Sequence, residues 1–257
     1  MISIGGNMVS DDWLKTRLGN DDIKIQIANN MQSLDNVFTF ENEKLFDFEV
    51  AARKELVKAS ERLHNSFFSF KLFINSICNE RYWERTQEGG FRLKKDVKPH
   101  EAVRDILRNS RMYGTECATA IVIVFYLALV EVMPVELFDR LFSDIYLMDW
   151  KYLDSDLGVR TYRGVKNALP GDCLYFKNPD VNPDTPEWQG ENVIVLLNNY
   201  YYGHGIGINK AESIIRALNR NRINNPQQSA YLMDQIVKID FEYLGNRKLN
   251  FEQERNP

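Results

Sequence analysis

The sequence predicts an α+β domain in which helices pack on an antiparallel sheet, and three observations lead there. Apolar residues recur at steps of three and four from Leu45 to Ile74. Residues 118–130 form an unbroken apolar run of helical length. Past residue 155 the periodicity shortens to strand-like segments separated by turn residues. At 257 residues, with 44% hydrophobic and 26% charged, the chain has ordinary globular composition and enough length for one large core. The organisation predicted is a single catalytic domain over 1–257, with 1–42 as an N-terminal wrapping arm and 246–257 as a charged tail.

Residues 1–42 are polar and rich in Asp and Asn, with scattered anchors at Trp13, Leu18, Ile23, Ile25 and Ile27. That pattern suits an arm laid over another surface. From Glu43 onward, Leu45, Phe48, Ala52, Leu56, Ala59, Leu63, Phe67, Phe70 and Ile74 share one helical face. One long helix is expected, or two joined near Ser66. Gly89-Gly90 marks a turn between short strand-like pieces. Pro99 leads a helix over 100–109, and a loop at Tyr113-Gly114 precedes the apolar helix, which Glu131 and Pro134 end. That run falls short of the ~20 residues a membrane span needs, so it reads as a buried core helix. A short helix over 135–142 and a strand over 145–150 follow. Strands are expected over 172–176, 191–197 and 200–208, with the proline-punctuated loop 178–188 between the first two. A helix over 210–220 and a helical or strand pair over 229–244 complete the order.

Composition narrows the chemistry. Lys+Arg 32 against Asp+Glu 36 gives net −4, without the basic excess that captures nucleic acid or an anionic membrane. No secretory signal is read in 1–13. The three cysteines, Cys78, Cys117 and Cys173, are too few and too scattered for a disulfide framework and fit a reducing compartment. With no C-x-x-C and no H-E-x-x-H, neither a metal nor a cofactor is expected. The alternation Asn178, Asp180, Asn182, Asp184 imitates a calcium loop. Pro183 stands where such loops need glycine, and Gln189 replaces the closing glutamate. The fragment Gly203-His-Gly-Ile-Gly has the wrong spacing for a dinucleotide fingerprint.

Cys117 draws attention by position. Gly114 and Thr115 supply a turn and a cap, so the cysteine falls in the first turn of the apolar helix. Unpaired amides and the helix dipole favour thiolate there and lower its pKa. A nucleophile and a buried core cysteine are both open readings. Glu116 is either a proton acceptor or an ordinary helix-start carboxylate. Further on, the segment from Glu191 to Gly205 reads as a hairpin turning at Asn198-Asn199, since Asn tolerates positive φ. With a two-residue loop, Glu191 and His204 become diagonal neighbours on one face; a three-residue loop breaks that parity. His64 reads as a surface residue, His100 as a cap-region residue and Cys173 as core. A cysteine at a helix start, facing an acid and an imidazole on a sheet, is a papain-like arrangement.

The segments YGTECATAIVIVFYLAL (113–129), GDCLYFKNP (171–179), WQGENVIVL (188–196), YYGHGIGI (201–208) and QSAYL (228–232) resemble the protein-glutamine gamma-glutamyltransferases, or transglutaminases, of spore-forming bacilli. The likeness runs from about residue 45 to 240. It implies a papain-like (NlpC-like) fold and calcium-independent acyl transfer from glutamine to lysine without a cofactor. The family nucleophile falls on Cys117, the acid/base glutamate on Glu191, its partial substitute on Glu116, and the family histidine on His204. The resemblance also implies ε-(γ-glutamyl)lysine cross-links in the spore coat, made in the mother cell. The partners would then be glutamine- and lysine-bearing coat proteins, and the location the mother-cell cytoplasm and the spore coat surface. An apolar tunnel that keeps water from the thioester would favour transfer over hydrolysis, with Trp188 its first expected wall and Trp150 its second. Two readings compete: a papain-like thiol peptidase or cell-wall amidase, and a non-catalytic coat protein that kept the fold.

Overall fold

The computed structural model describes residues 1–255. The N-terminal stretch forms β1 (Ile2–Ile4), β2 (Asn7–Met8), α1 (Asp11–Leu18), α2 (Asp22–Ser33) and β3 (Phe38–Phe40), with β1 between β2 and β3. Side chains start both helices: Ser10 accepts from the Trp13 N–H and Asp21 from the Lys24 N–H. Ile2, Ile27, Ala28, Met31 and Phe40 then bury against Leu45, Phe46 and Val50 of the following helix.

That helix, α3 (Glu43–His64), is capped by Asn42 and stops sooner than its periodicity suggests. The Ser66 hydroxyl donates to the Leu63 carbonyl and accepts from the Phe68 N–H, which turns the chain out of the helix into β4 (Ser69–Phe70). Phe67, Phe70 and Ile74, expected on the buried face, are instead 64%, 40% and 79% exposed. Next come β5 (Trp83–Arg85), β6 (Phe91–Leu93), α4 (Pro99–Arg108), β7 (Gly114–Thr115), α5 (Cys117–Val132), α6 (Val135–Leu141) and β8 (Tyr146–Leu147). Residues 118–130 of α5 are all buried, which explains their lack of a polar face. Of the strand expected over 145–150, only Tyr146–Leu147 forms, at the edge of the small sheet β5-β6-β8.

The second half supplies β9 (Arg160–Tyr162), β10 (Cys173–Lys177), β11 (Gly190–Val195), β12 (Tyr201–Gly203), β13 (Gly207–Asn209), α7 (Ala211–Asn219), β14 (Tyr231–Leu232), β15 (Ile236–Lys238) and α8 (Phe241–Arg255). These strands form one antiparallel sheet in the order β13-β12-β11-β10-β15-β9, with β14 also on β10. Cys173, Ile194 and Tyr202 face α5 and α3, while Leu174, Phe176, Val193 and Val195 face Ile214 and Leu218 of α7. Buried Arg53 ties α3 to the sheet: it donates to Asp172 at 2.8 Å and to the Pro170 carbonyl at 3.0 Å, just ahead of β10. The α+β class is therefore what the chain adopts.

Two details of the hairpin differ from expectation. Asn198 and Asn199 do take positive φ (57° and 60°), but the loop holds three residues, Leu197–Asn199. Val193 consequently faces Gly203 rather than His204. The stretch 200–208 is also two strands, because the chain turns at Gly205 (φ +105°) between β12 and β13. The region read as a charged tail continues α8, with Leu244 and Phe251 buried; Asn256 and Pro257 of that tail lie outside the described residues. No helix among the described residues is long and apolar enough to cross a membrane, and none of their His, Cys, Asp and Glu side chains gather as a metal cluster.

Candidate active site

Cys117 is the first residue of α5, and what precedes it is held from two sides. Gly114 and Thr115 pair in parallel with Ser69 and Phe70, so closely that a Cβ on Gly114 would lie 2.4 Å from Ser69 Oγ. The Tyr113 hydroxyl donates to buried Asp105 at 2.6 Å, where Asn79 and Asn109 also converge. Behind the cysteine the buried helix packs on α3 and β11. The sulfur is thus carried on rigid elements.

Glu116 occupies the N-cap. Its carboxylate accepts from the Ala118 and Thr119 amides, both at 2.6 Å. The first-turn donors expected to stabilise a thiolate are therefore turned to a neighbouring carboxylate. The Cys117 thiol is not lowered but pushed up to about 12, chiefly by burial, then by the charges of Glu191 and Glu116. At rest the sulfur is protonated.

Glu191 is in phase with Val193, and its carboxyl lies against Gly203: a Cβ there would be 2.7 Å from Oε1. Only 5% exposed, it leaves Oε1 without a hydrogen-bond partner among the described residues. Burial and the nearby Glu116 charge raise its pKa well above the ordinary glutamate range. A carboxyl so placed holds its proton tightly, and once ionised it is a stronger base than a surface glutamate.

His204 does not join the sulfur. Its Nε2 is 3.2 Å from the Ser69 carbonyl, which can only accept, so Nε2 carries the hydrogen. Burial lowers its pKa to about 4, so the ring is neutral, and Nδ1 accepts from the Tyr202 hydroxyl at 3.1 Å. Both nitrogens are engaged, with Phe68 packed 4.9 Å away. The shared face expected for Glu191 and His204 is lost with the three-residue loop. His204 instead braces β4, the strand beside Cys117.

Sequence reasoning missed Asn192. Its side-chain Nδ2 is 3.7 Å from Cys117 Sγ, and both its amide and its backbone N–H pull the thiol's pKa down against the larger effect of burial. The signal was available in the alternation of the strand. With Ile194 facing α5, Asn192 must face α5 too.

The sulfur opens into a cleft of about 910 Å³, whose walls include Phe70, Leu72, Trp150, Tyr175 and Met233. Trp150 lines this cleft, 6.1 Å from Phe125. Trp188 is not on this wall. Its short 3₁₀ turn, Pro186–Trp188, leaves it half-buried against the cluster of Leu174, Phe176 and Val193, on the α7 side of the sheet. Cys173 and His64 are placed as expected, one fully buried and the other exposed. His100 bonds Asp139 at 2.8 Å and is not among the residues lining the cleft.

Comparison with known proteins yields concordant likenesses. The family model described as protein-glutamine gamma-glutamyltransferase matches residues 1–248. Proteins of that name from Bacillus cereus (strain AH820) and Bacillus anthracis (strain A0248) are each 43% identical over 217 residues, covering 84% of this chain and 78% of the relative. Among solved structures, a transglutaminase from Geobacillus stearothermophilus without its C-terminal extension aligns with a TM-score of 0.77. It is 50% identical, and the alignment covers 80% of this chain and 98% of that one.

Proposed function

Because the chain belongs to the protein-glutamine gamma-glutamyltransferase family, we propose that it joins protein glutamines to lysine amines through a thioester on Cys117, without calcium. The observation that carries this reading is the buried, unpartnered carboxyl of Glu191, whose charge acts on a sulfur that burial keeps protonated at rest. Ionised Glu191 takes the Cys117 proton as sulfur attacks the glutamine carboxamide carbon. The C–S bond forms, the C–N bond breaks, and the proton leaves with the departing ammonia. A lysine ε-amine then attacks the thioester and gives a proton to Glu191. The isopeptide forms and the sulfur recovers its hydrogen. A raised Glu191 pKa narrows the gap to the thiol, which makes the first transfer easier.

Glu116 serves this scheme as the cap that fixes the start of α5; two amides already stabilise its ionised form, which makes it the weaker base of the two carboxylates. His204 acts as a positioning residue through Ser69. The apolar cleft walls, Trp150 among them, limit access of competing water to the thioester. The likeness to Bacillus proteins supports a place for the cross-links in the spore coat, with coat proteins as substrates and the mother-cell cytoplasm and coat surface as the location.

A single assay tests the core of this reading. The protein is incubated with a glutamine-bearing protein and a fluorescent primary amine in excess chelator, beside Cys117→Ala. Amine incorporation by the wild type alone is expected. Peptide cleavage without incorporation would assign a thiol peptidase, and silence from both proteins would assign a non-catalytic coat component.

A further inference from the structure

We propose that the side-chain amide of Asn192 and the backbone N–H of Cys117 together form the oxyanion hole of the reaction, with Asn192 a catalytic residue. The proposal rests on the transfer reading above and adds the group that receives the negative charge. When the Cys117 sulfur bonds to the carboxamide carbon, the carbonyl π electrons move onto oxygen. They return as the C–N bond breaks and ammonia departs. Collapse of the thioester onto an amine passes through the same oxyanion.

The surroundings of the sulfur are hostile to that charge, because the site is buried and the Glu116 carboxylate bears on it even after Glu191 has taken the thiol proton. Donors are therefore required, and the structure leaves two. The amides of Ala118 and Thr119 are taken by Glu116, whereas the Cys117 N–H has no partner among the described residues. Asn192 Nδ2, 3.7 Å from Sγ, is the side-chain donor in hydrogen-bond contact with the sulfur among those residues. An oxygen one carbon removed from that sulfur comes within reach of both groups. Asn192 lines the cleft, so its amide meets the substrate side of the sulfur. Its backbone is paired opposite Tyr175 in the middle of the sheet, which fixes the donor before substrate arrives.

The proposal separates from a mere effect on the sulfur by comparing two reactions of one thiol. Alkylation by iodoacetamide displaces iodide from carbon and forms no oxyanion; amine incorporation forms one in each half-reaction. Asn192→Ala, with Asn192→Asp as a variant of conserved volume, is measured for both, and thermal denaturation confirms folding. The expected result is a fall of about 100-fold or more in kcat/KM for amine incorporation, with a much smaller fall in alkylation, the part due to losing the amide's effect on the thiol. An equal fall in both rates would confine Asn192 to the sulfur and overturn the proposal, as would unchanged incorporation. A wild-type protein that alkylates at Cys117 yet incorporates no amine would instead overturn the transfer reading itself.

Discussion

In the proposed scheme the reaction begins only when the Glu191 carboxyl, which burial makes hold its proton more tightly than an ordinary glutamate, has lost that proton. The rate of amine incorporation should therefore rise with pH along a limb set by the raised Glu191 pKa. The same shift acts on stability. Glu191 binds its proton more tightly in the folded chain than in the unfolded one. The stabilisation is complete below the ordinary glutamate range and is lost as pH climbs through the raised value. Glu191→Gln is neutral throughout, so its melting temperature should decline less toward alkaline pH while incorporation falls at least ~100-fold. Parallel melting profiles for the two proteins would refute this. His204 bounds the other side. With its pKa lowered to about 4, its contribution is full above about pH 6.5 and is lost as pH falls toward 4, on the order of 3 kcal/mol.

At the scale of elements, the hairpin β11–β12 shows how one loop residue redistributes a site. The turn at Asn198 and Asn199 was legible because asparagine tolerates positive φ, and the placement of Cys117 was legible because a turn abuts an apolar helix. Loop length was not legible, since Leu197 has no turn signature of its own. That one residue took His204 off the face of Glu191 and left it to brace β4. The halt of α3 was hidden similarly, because Phe67, Phe70 and Ile74 continue its spacing while a serine hydroxyl ends it. The raised thiol pKa was beyond local reading, for its causes include Glu191 from a strand distant in sequence. Gly203 gives the element-level test. A methyl group there would meet Glu191 Oε1 at 2.7 Å and Cγ at 2.8 Å, so the carboxyl must move. Gly203→Ala should lose most amine incorporation while Cys117 still alkylates. Full retention of incorporation would show that the carboxyl has no fixed place.

Across the whole molecule, α3 is the common wall of two cores. Phe46 and Val50 turn to the N-terminal elements, while Ala52, Leu56 and Leu63 turn to α5. The stretch anticipated as an arm therefore shares a helix with the catalytic core. Ile27, fully buried in that second core, makes the point testable. Ile27→Ala should lower stability by about 2–4 kcal/mol, and unfolding should remain one cooperative transition. Two resolved calorimetric transitions would mean that the N-terminal elements melt separately.

The protonated state of the Cys117 sulfur carries a consequence for durability. Peroxide attacks thiolates, and a thiol pushed up to about 12 presents almost none at neutral pH. Between turnovers the enzyme therefore keeps this sulfur in the form that oxidants damage least, and in the proposed scheme it becomes vulnerable only when the base removes its hydrogen.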